Sequence, residues 1–137
     1  MFKNPDEQAR CALLKKTKII AVVGLSPNAA RPSHGVAQSM QGFGFRVIPV
    51  HPAAKEILGE KVYAKLADIP EPIDLVDVSR SAEFIDGVVD KCLALGLKAI
   101  WIQEGIVNEA AAARAQAGGM TVIMDRCIYR DDRDSCT

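Results

Sequence analysis

The sequence predicts an α/β fold built on an open, doubly wound sheet of five parallel strands. Two observations carry that expectation. Five short runs, Ile19–Val23, Arg46–Val50, Ile73–Val78, Ala99–Ile102 and Thr121–Met124, are mostly apolar rather than alternating, as strands buried on both faces are. Helical segments separate most of them, and parallel strands need such crossovers. Right-handed crossovers around a central first strand would make the sheet Rossmann-like, with strand order 3-2-1-4-5. Ligands in such sheets bind beyond the carboxyl ends of the strands, so the loops after residues 23, 50, 78, 102 and 124 are where a site is expected.

The elements follow in order. Asn4-Pro5-Asp6-Glu7 reads as a helix start, with Asn4 as cap, Pro5 in the first turn and Glu7 completing a capping box, for a helix over about 5–15. The first strand ends at Gly24. From Ser33 to about Phe43, Val36, Ala37 and Met40 recur at helical spacing before Gly42 and Gly44. Pro49 inside the second strand strains that assignment, because proline cannot donate to a ladder. Residues 51–71 show no period beyond a short helical turn near Ala64–Asp68. Ser81 then caps a helix whose Phe84, Ile85, Val88, Val89, Cys92 and Leu93 form one apolar stripe before Gly96. Asn108 caps an alanine-rich helix that stops at Gly118-Gly119, and Asp131–Thr137 reads as a charged tail. The 137 residues make a single domain, 1–137, with its core at about 18–128.

Composition excludes several classes. Seventeen basic residues balance seventeen acidic ones, whereas nucleic acid or a membrane surface would favour a net basic face. A local basic pocket for a small anion remains compatible with that balance. Cys11, Cys92, Cys127 and Cys136 form no C-x-x-C pair and no zinc or disulfide framework, so no metal is expected. Cys92 lies on an apolar stripe and reads as core, and Cys136, in the tail, reads as exposed and free. The longest strongly apolar run, Ile19–Leu25, is far too short to span a membrane, and the N-terminus lacks the apolar core of a signal peptide. A reducing, cytoplasmic setting follows as the expectation.

The most informative segment is Gly24-Leu25-Ser26-Pro27-Asn28-Ala29-Ala30-Arg31-Pro32-Ser33, directly after the central strand. A dinucleotide fingerprint would read G-x-G-x-x-G/A, but Ser26 occupies the middle glycine position, where backbone should approach a pyrophosphate. The second strand runs into Val50-His51-Pro52-Ala53-Ala54-Lys55 and lacks the carboxylate that would hold an NAD ribose. An extended phosphate cradle fits better: backbone N–H groups from Ser26 to Ala29, Ser33 at a helix N-terminus, and the cations Arg31 and Lys55.

Together with Trp101-Ile102-Gln103-Glu104-Gly105-Ile106 and Asp125-Arg126-Cys127, these segments resemble the CoA-binding domain of the succinyl-CoA synthetase α subunit, and still more the small stand-alone CoA-binding proteins. The resemblance covers about Ile19 to Cys127. It implies that coenzyme A or an acyl-CoA lies across the carboxyl edge of the sheet. Gly24, Leu25, Ser26, Arg31 and Ser33 would face its phosphates, with His51, Pro52 and Lys55 following the second strand. Val78, Ser79 and Arg80 would line the path of the adenine or the pantetheine arm. Gln103, Glu104 and Gly105 would lie near the thiol, Gln103 standing where the synthetases have Thr. The synthetases carry their phosphorylated histidine in a further domain beyond a sequence like Asp125-Arg126-Cys127, whereas this chain ends ten residues later. No catalysis is therefore expected, and the implied role is that of a carrier, a sensor or a subunit for a separately encoded protein partner. The oligomeric state is left open.

Other chemistries are weaker. G-x-S-x-G fails at Asn28, and the only histidines, His34 and His51, come too early for a hydrolase of that type. Both histidines read as surface hydrogen-bonders. An NADP-binding redox protein would use Arg31 and Lys55 for the 2′-phosphate, and an acyl-CoA transferase or thioesterase would use Glu104 or Cys127. A Cys127 thiol near the CoA thiol could form a mixed disulfide, although a small buried residue is the plainer reading. Asp77 and Asp125 end strands at the ligand edge and read as loop caps. Trp101 reads as packing within a buried strand.

Overall fold

A computed structural model describes residues 2–136; Met1 and Thr137, the ends of the expected domain and tail, lie outside the described residues. In chain order the elements are α1 (Glu7–Lys16), β1 (Ile19–Val23), α2 (Pro32–Gly42), β2 (Arg46–Val50), a small hairpin of β3 (Glu56–Ile57) and β4 (Glu60–Lys61), and a 3-10 turn at Leu66–Asp68. They continue with β5 (Leu75–Val78), a 3-10 turn at Ala82–Phe84, α3 (Ile85–Ala94), β6 (Ala99–Ile102), α4 (Glu109–Ala117), β7 (Thr121–Met124) and α5 (Ile128–Ser135).

Five of the strands form one parallel sheet in the order β2-β1-β5-β6-β7. The sheet is Rossmann-like, as expected, but the order among its strands is 2-1-3-4-5 rather than 3-2-1-4-5. The place beside β2 is taken by the chain itself. Tyr63 bridges Val50 in parallel, its N–H donating to the Pro49 carbonyl at 3.1 Å while the His51 N–H donates to its own carbonyl at 3.0 Å. No helix follows β2, so the chain recrosses the face beneath β1 and pairs on its far side. The same edge explains Pro49. Its carbonyl points outward to Tyr63, so its missing N–H removes no bond to β1.

Alternate residues of each strand feed two cores, which is why the runs are apolar throughout. Val76, Val78, Ile100 and Ile102 pack under α3, α4 and the turn at Leu66. Ile20, Val22, Leu75, Trp101 and Ile123 pack under α1, α2 and α5. The Trp101 indole N–H donates to the Arg126 carbonyl at 2.9 Å, so its role is packing, as expected.

The chain ends differ from expectation. Asp6, not Asn4, caps α1, accepting from the Ala9 N–H at 2.8 Å. Asn4 instead exchanges two 2.8 Å bonds with the Met124 backbone, closing the exposed edge of β7. The expected tail is mostly α5. Asp131 in that helix is 5% exposed and accepts from Arg10 at 3.0 Å and from Arg126 at 2.8 and 2.7 Å. Cys136, expected to be free, is disulfide-bonded to Cys11, which joins α5 to α1. Cys92 and Cys127 are free and buried. No helix among the described residues is long and apolar enough to cross a membrane.

Candidate functional site

A polyphosphate needs backbone donors, cations and a cavity, and the observed strand order brings these together between the ends of β1 and β5. Chain connections from β1 run first to one side and then to the other, so the switch point of the sheet lies there. Gly24 marks it. At φ +87°, a Cβ added to Gly24 would stand 2.5 Å from the Ser79 carbonyl oxygen and 2.7 Å from Arg80 Cγ. The two loops therefore touch, and only glycine fits where they meet.

Above this contact opens a cavity of about 1270 Å³. Among the expected residues, Gly24, Ser26, Arg31, Ser33, His51, Pro52, Ser79, Arg80, Gln103, Glu104 and Gly105 line it. Three stand apart. The Leu25 and Val78 side chains are fully buried in the two cores, so only their main chain can meet a ligand. Lys55 is exposed on the approach to β3 and is not among the lining residues. The cavity instead recruits Lys65 and Lys91, together with Phe84, Cys127 and Arg130. Sequence reasoning had one signal for part of this set. Phe84, Val88 and Lys91 share a helical face by their spacing, yet Phe84 reads as part of the apolar stripe and is 43% exposed.

The loop after β1 is ordered by its own side chains. The Ser26 N–H donates to Ser33 Oγ at 3.1 Å, the Asn28 N–H to Ser26 Oγ at 3.1 Å, and the Ala30 N–H to Asn28 Oδ1 at 2.9 Å. Much of the expected backbone cradle is thus already satisfied. What stays open for an anion at the start of α2 is the Ser33 N–H, since Pro32 has none and the His34 and Gly35 N–H groups donate to the Arg31 carbonyl. Arg31 at its N-cap makes no side-chain cap, Pro32 opens the helix, and no acid stands in its first turn. The positive end of the helix dipole faces the cavity beside Arg31. Arg31, Lys65, Arg80 and Lys91 all line the cavity, and none has a carboxylate partner among the ion pairs of the described residues.

The remaining groups are held in place. His51 Nδ1 accepts from the Ala53 and Ala54 N–H groups at 3.1 and 3.0 Å, which puts the imidazole N–H on Nε2. Gln103 is 7% exposed, and its Oε1 accepts from the Ile128 N–H at 3.1 Å, fixing the start of α5. Glu104 is ion-paired with Arg130, and hydrogen bonds from Arg130 first to Glu104 and then to Cys127 hold that guanidinium firmly charged. Asp125 takes φ +61° and accepts from the Gly105 N–H at 2.7 Å, so it caps the loop after β6 rather than the loop that follows its own strand. Asp77 does not cap. It lies inside β5, 2% exposed, with Oδ1 lacking any partner. No cluster of metal-ligating side chains occurs among the described residues.

Comparison with known proteins bears on the same region. The sequence model of the CoA binding domain family matches residues 18–132. The chain belongs to that family. The CoA binding domain described here is 42% identical over 127 residues to the uncharacterized protein YneT of Bacillus subtilis, covering 93% of this chain and 94% of YneT. It is 30% identical over 95 residues to the ADP-forming acetate–CoA ligase II of Archaeoglobus fulgidus, covering 67% of this chain but 14% of the ligase. A solved structure from Thermus thermophilus superposes with a TM-score of 0.89 at 32% identity, covering 94% of this chain and 98% of that one.

Gly24 gives this CoA binding domain a direct test. Gly24→Ala is expected to lower stability by about 1–3 kcal/mol, combining the cost of positive φ with displacement of Ser79 and Arg80. Thermal unfolding measures it, and an unchanged melting temperature would show that the two loops do not meet as described.

Proposed function

We propose that the domain binds coenzyme A or an acyl-CoA across the carboxyl edge of the sheet without chemistry of its own, serving as a carrier, a sensor or a subunit of a separately encoded partner. The observation that carries this reading is the acid-free N-terminus of α2 opening into the cavity beside Arg31 and Arg80, two guanidinium groups without carboxylate partners. Such an arrangement suits a diphosphate. The cavity exceeds the roughly 300–1,000 Å³ usual for small ligands, which favours a long molecule. Family membership supports the same ligand. Catalysis by Glu104 is disfavoured because Arg130 already occupies that carboxylate.

Calorimetric titration with CoA, acetyl-CoA, NAD and NADP tests the reading. CoA or acetyl-CoA should bind and the nicotinamide nucleotides should not. Arg31→Ala should weaken CoA binding by about 1–3 kcal/mol, the range for hydrogen bonds to charged groups. Lys55→Ala, outside the cavity lining, should change it by less than about 0.5 kcal/mol, as surface substitutions do. Binding of NADP alone, or full affinity in Arg31→Ala, would overturn the assignment.

A further inference from the structure

The two ends of the cavity differ in charge, and coenzyme A differs in charge along its length in a matching way. One end lies between the turn at Leu66–Asp68 and α3, which pack together. Lys65 approaches it from the turn, Val88 and Lys91 line it from one face of α3, and Phe84 lines it from the residue just before that helix. Both lysines are exposed and without carboxylate partners among the described residues. The Phe84 ring is held by the Arg80 guanidinium, 4.0 Å from its centroid, and is still 43% exposed. The opposite end is formed by Glu104, Gly105, Ile106, Cys127 and Arg130. Its one arginine is neutralised by Glu104, so it offers no free cation.

With the diphosphate at the start of α2, between these ends, the two halves of the ligand must go opposite ways. The nucleotide half carries a purine and a third, isolated phosphate on the ribose. The pantetheine half carries neither. We infer that the Lys65–Lys91 end, with its Arg80-backed Phe84 ring, binds the adenosine 3′-phosphate portion of the ligand and selects for that phosphate. The inference rests on the CoA reading and adds the side chains that select for the 3′-phosphate. Two ammonium groups on facing elements supply point charges for a monoester phosphate. The open face of an aromatic ring supplies a stacking surface for a purine. The pantetheine arm is thereby sent toward Gly105 and Cys127.

The experiment compares CoA with 3′-dephospho-CoA, and adenosine 3′,5′-bisphosphate with AMP, by calorimetry at low salt. The wild type should prefer the 3′-phosphorylated member of each pair by about 10- to 100-fold. In the Lys65→Ala/Lys91→Ala double variant this ratio should fall to near one, with 3′-dephospho-CoA binding almost as in the wild type. Both lysines are exposed, so the variant is expected to fold. Phe84→Leu, by contrast, should weaken both members of each pair alike. An unchanged ratio in the double variant, or no preference in the wild type, overturns the inference while CoA binding stands. Failure to bind any of the four compounds overturns the CoA reading and this inference together.

Discussion

Asp77→Asn is expected to unfold near the wild-type temperature at about pH 4 and roughly 10–15 °C higher at about pH 8.5. Asp77 sits between Val22 and Trp101 in the strand register, on the sheet face that packs under α1, α2 and α5. Burial alone pushes its carboxyl from 3.8 up to about 8. Between those values the folded chain holds a proton that the unfolded chain has released. Rising pH therefore costs stability, by about 1.4 kcal/mol per unit. Below about pH 4 the contribution is complete, it is lost progressively up to about pH 8, and at pH 7 the deficit is about 4 kcal/mol. Asparagine cannot ionise, so the slope should vanish, while its amide still lacks a partner and gains nothing in acid. Melting temperatures across this range decide it. Parallel curves for wild type and variant would mean that Asp77 ionises freely and is not enclosed as described.

Reducing the Cys11–Cys136 bond is expected to cost about 4–5 kcal/mol, from the conformational freedom restored to an unfolded chain cross-linked over 125 residues. The bond ties the first helix to the last, beside the Arg10–Asp131 ion pair, and α5 in turn carries Arg130 at the cavity wall. Wild-type melting should fall sharply on adding dithiothreitol. Cys11→Ser and Cys136→Ser should each melt at the reduced wild-type temperature and ignore the reductant. A wild type indifferent to reductant would show that the bond does not form. A bond of this kind persists in oxidising surroundings, so the measurement also bears on the reducing setting expected from composition.

Several features were legible from local chemistry alone. The strand at Ile19–Val23, Gly24 after it, the α2 start at Pro32 and the Asn108 cap all follow from patterns within a few residues. So does the place of the cavity, which most of the expected site residues line, because doubly wound sheets put ligands at the carboxyl ends of their strands in either strand order.

Tertiary structure alone decided what depends on groups far apart in the chain. Tyr63 occupying the edge of β2 sends β5 to the far side of β1. Arg10 makes a helix end out of an apparent tail by pairing with Asp131 across 121 residues, and Asn4 leaves its cap to bind Met124. Lys55 follows the second strand as the resemblance requires, yet Lys65 and Lys91 are the lysines that reach the cavity. Periodicity and capping are short-range and select the type of each element. Strand order, ion pairs, the disulfide and the cations at the site are long-range, and a residue has no partner to choose until the fold has brought the partners together.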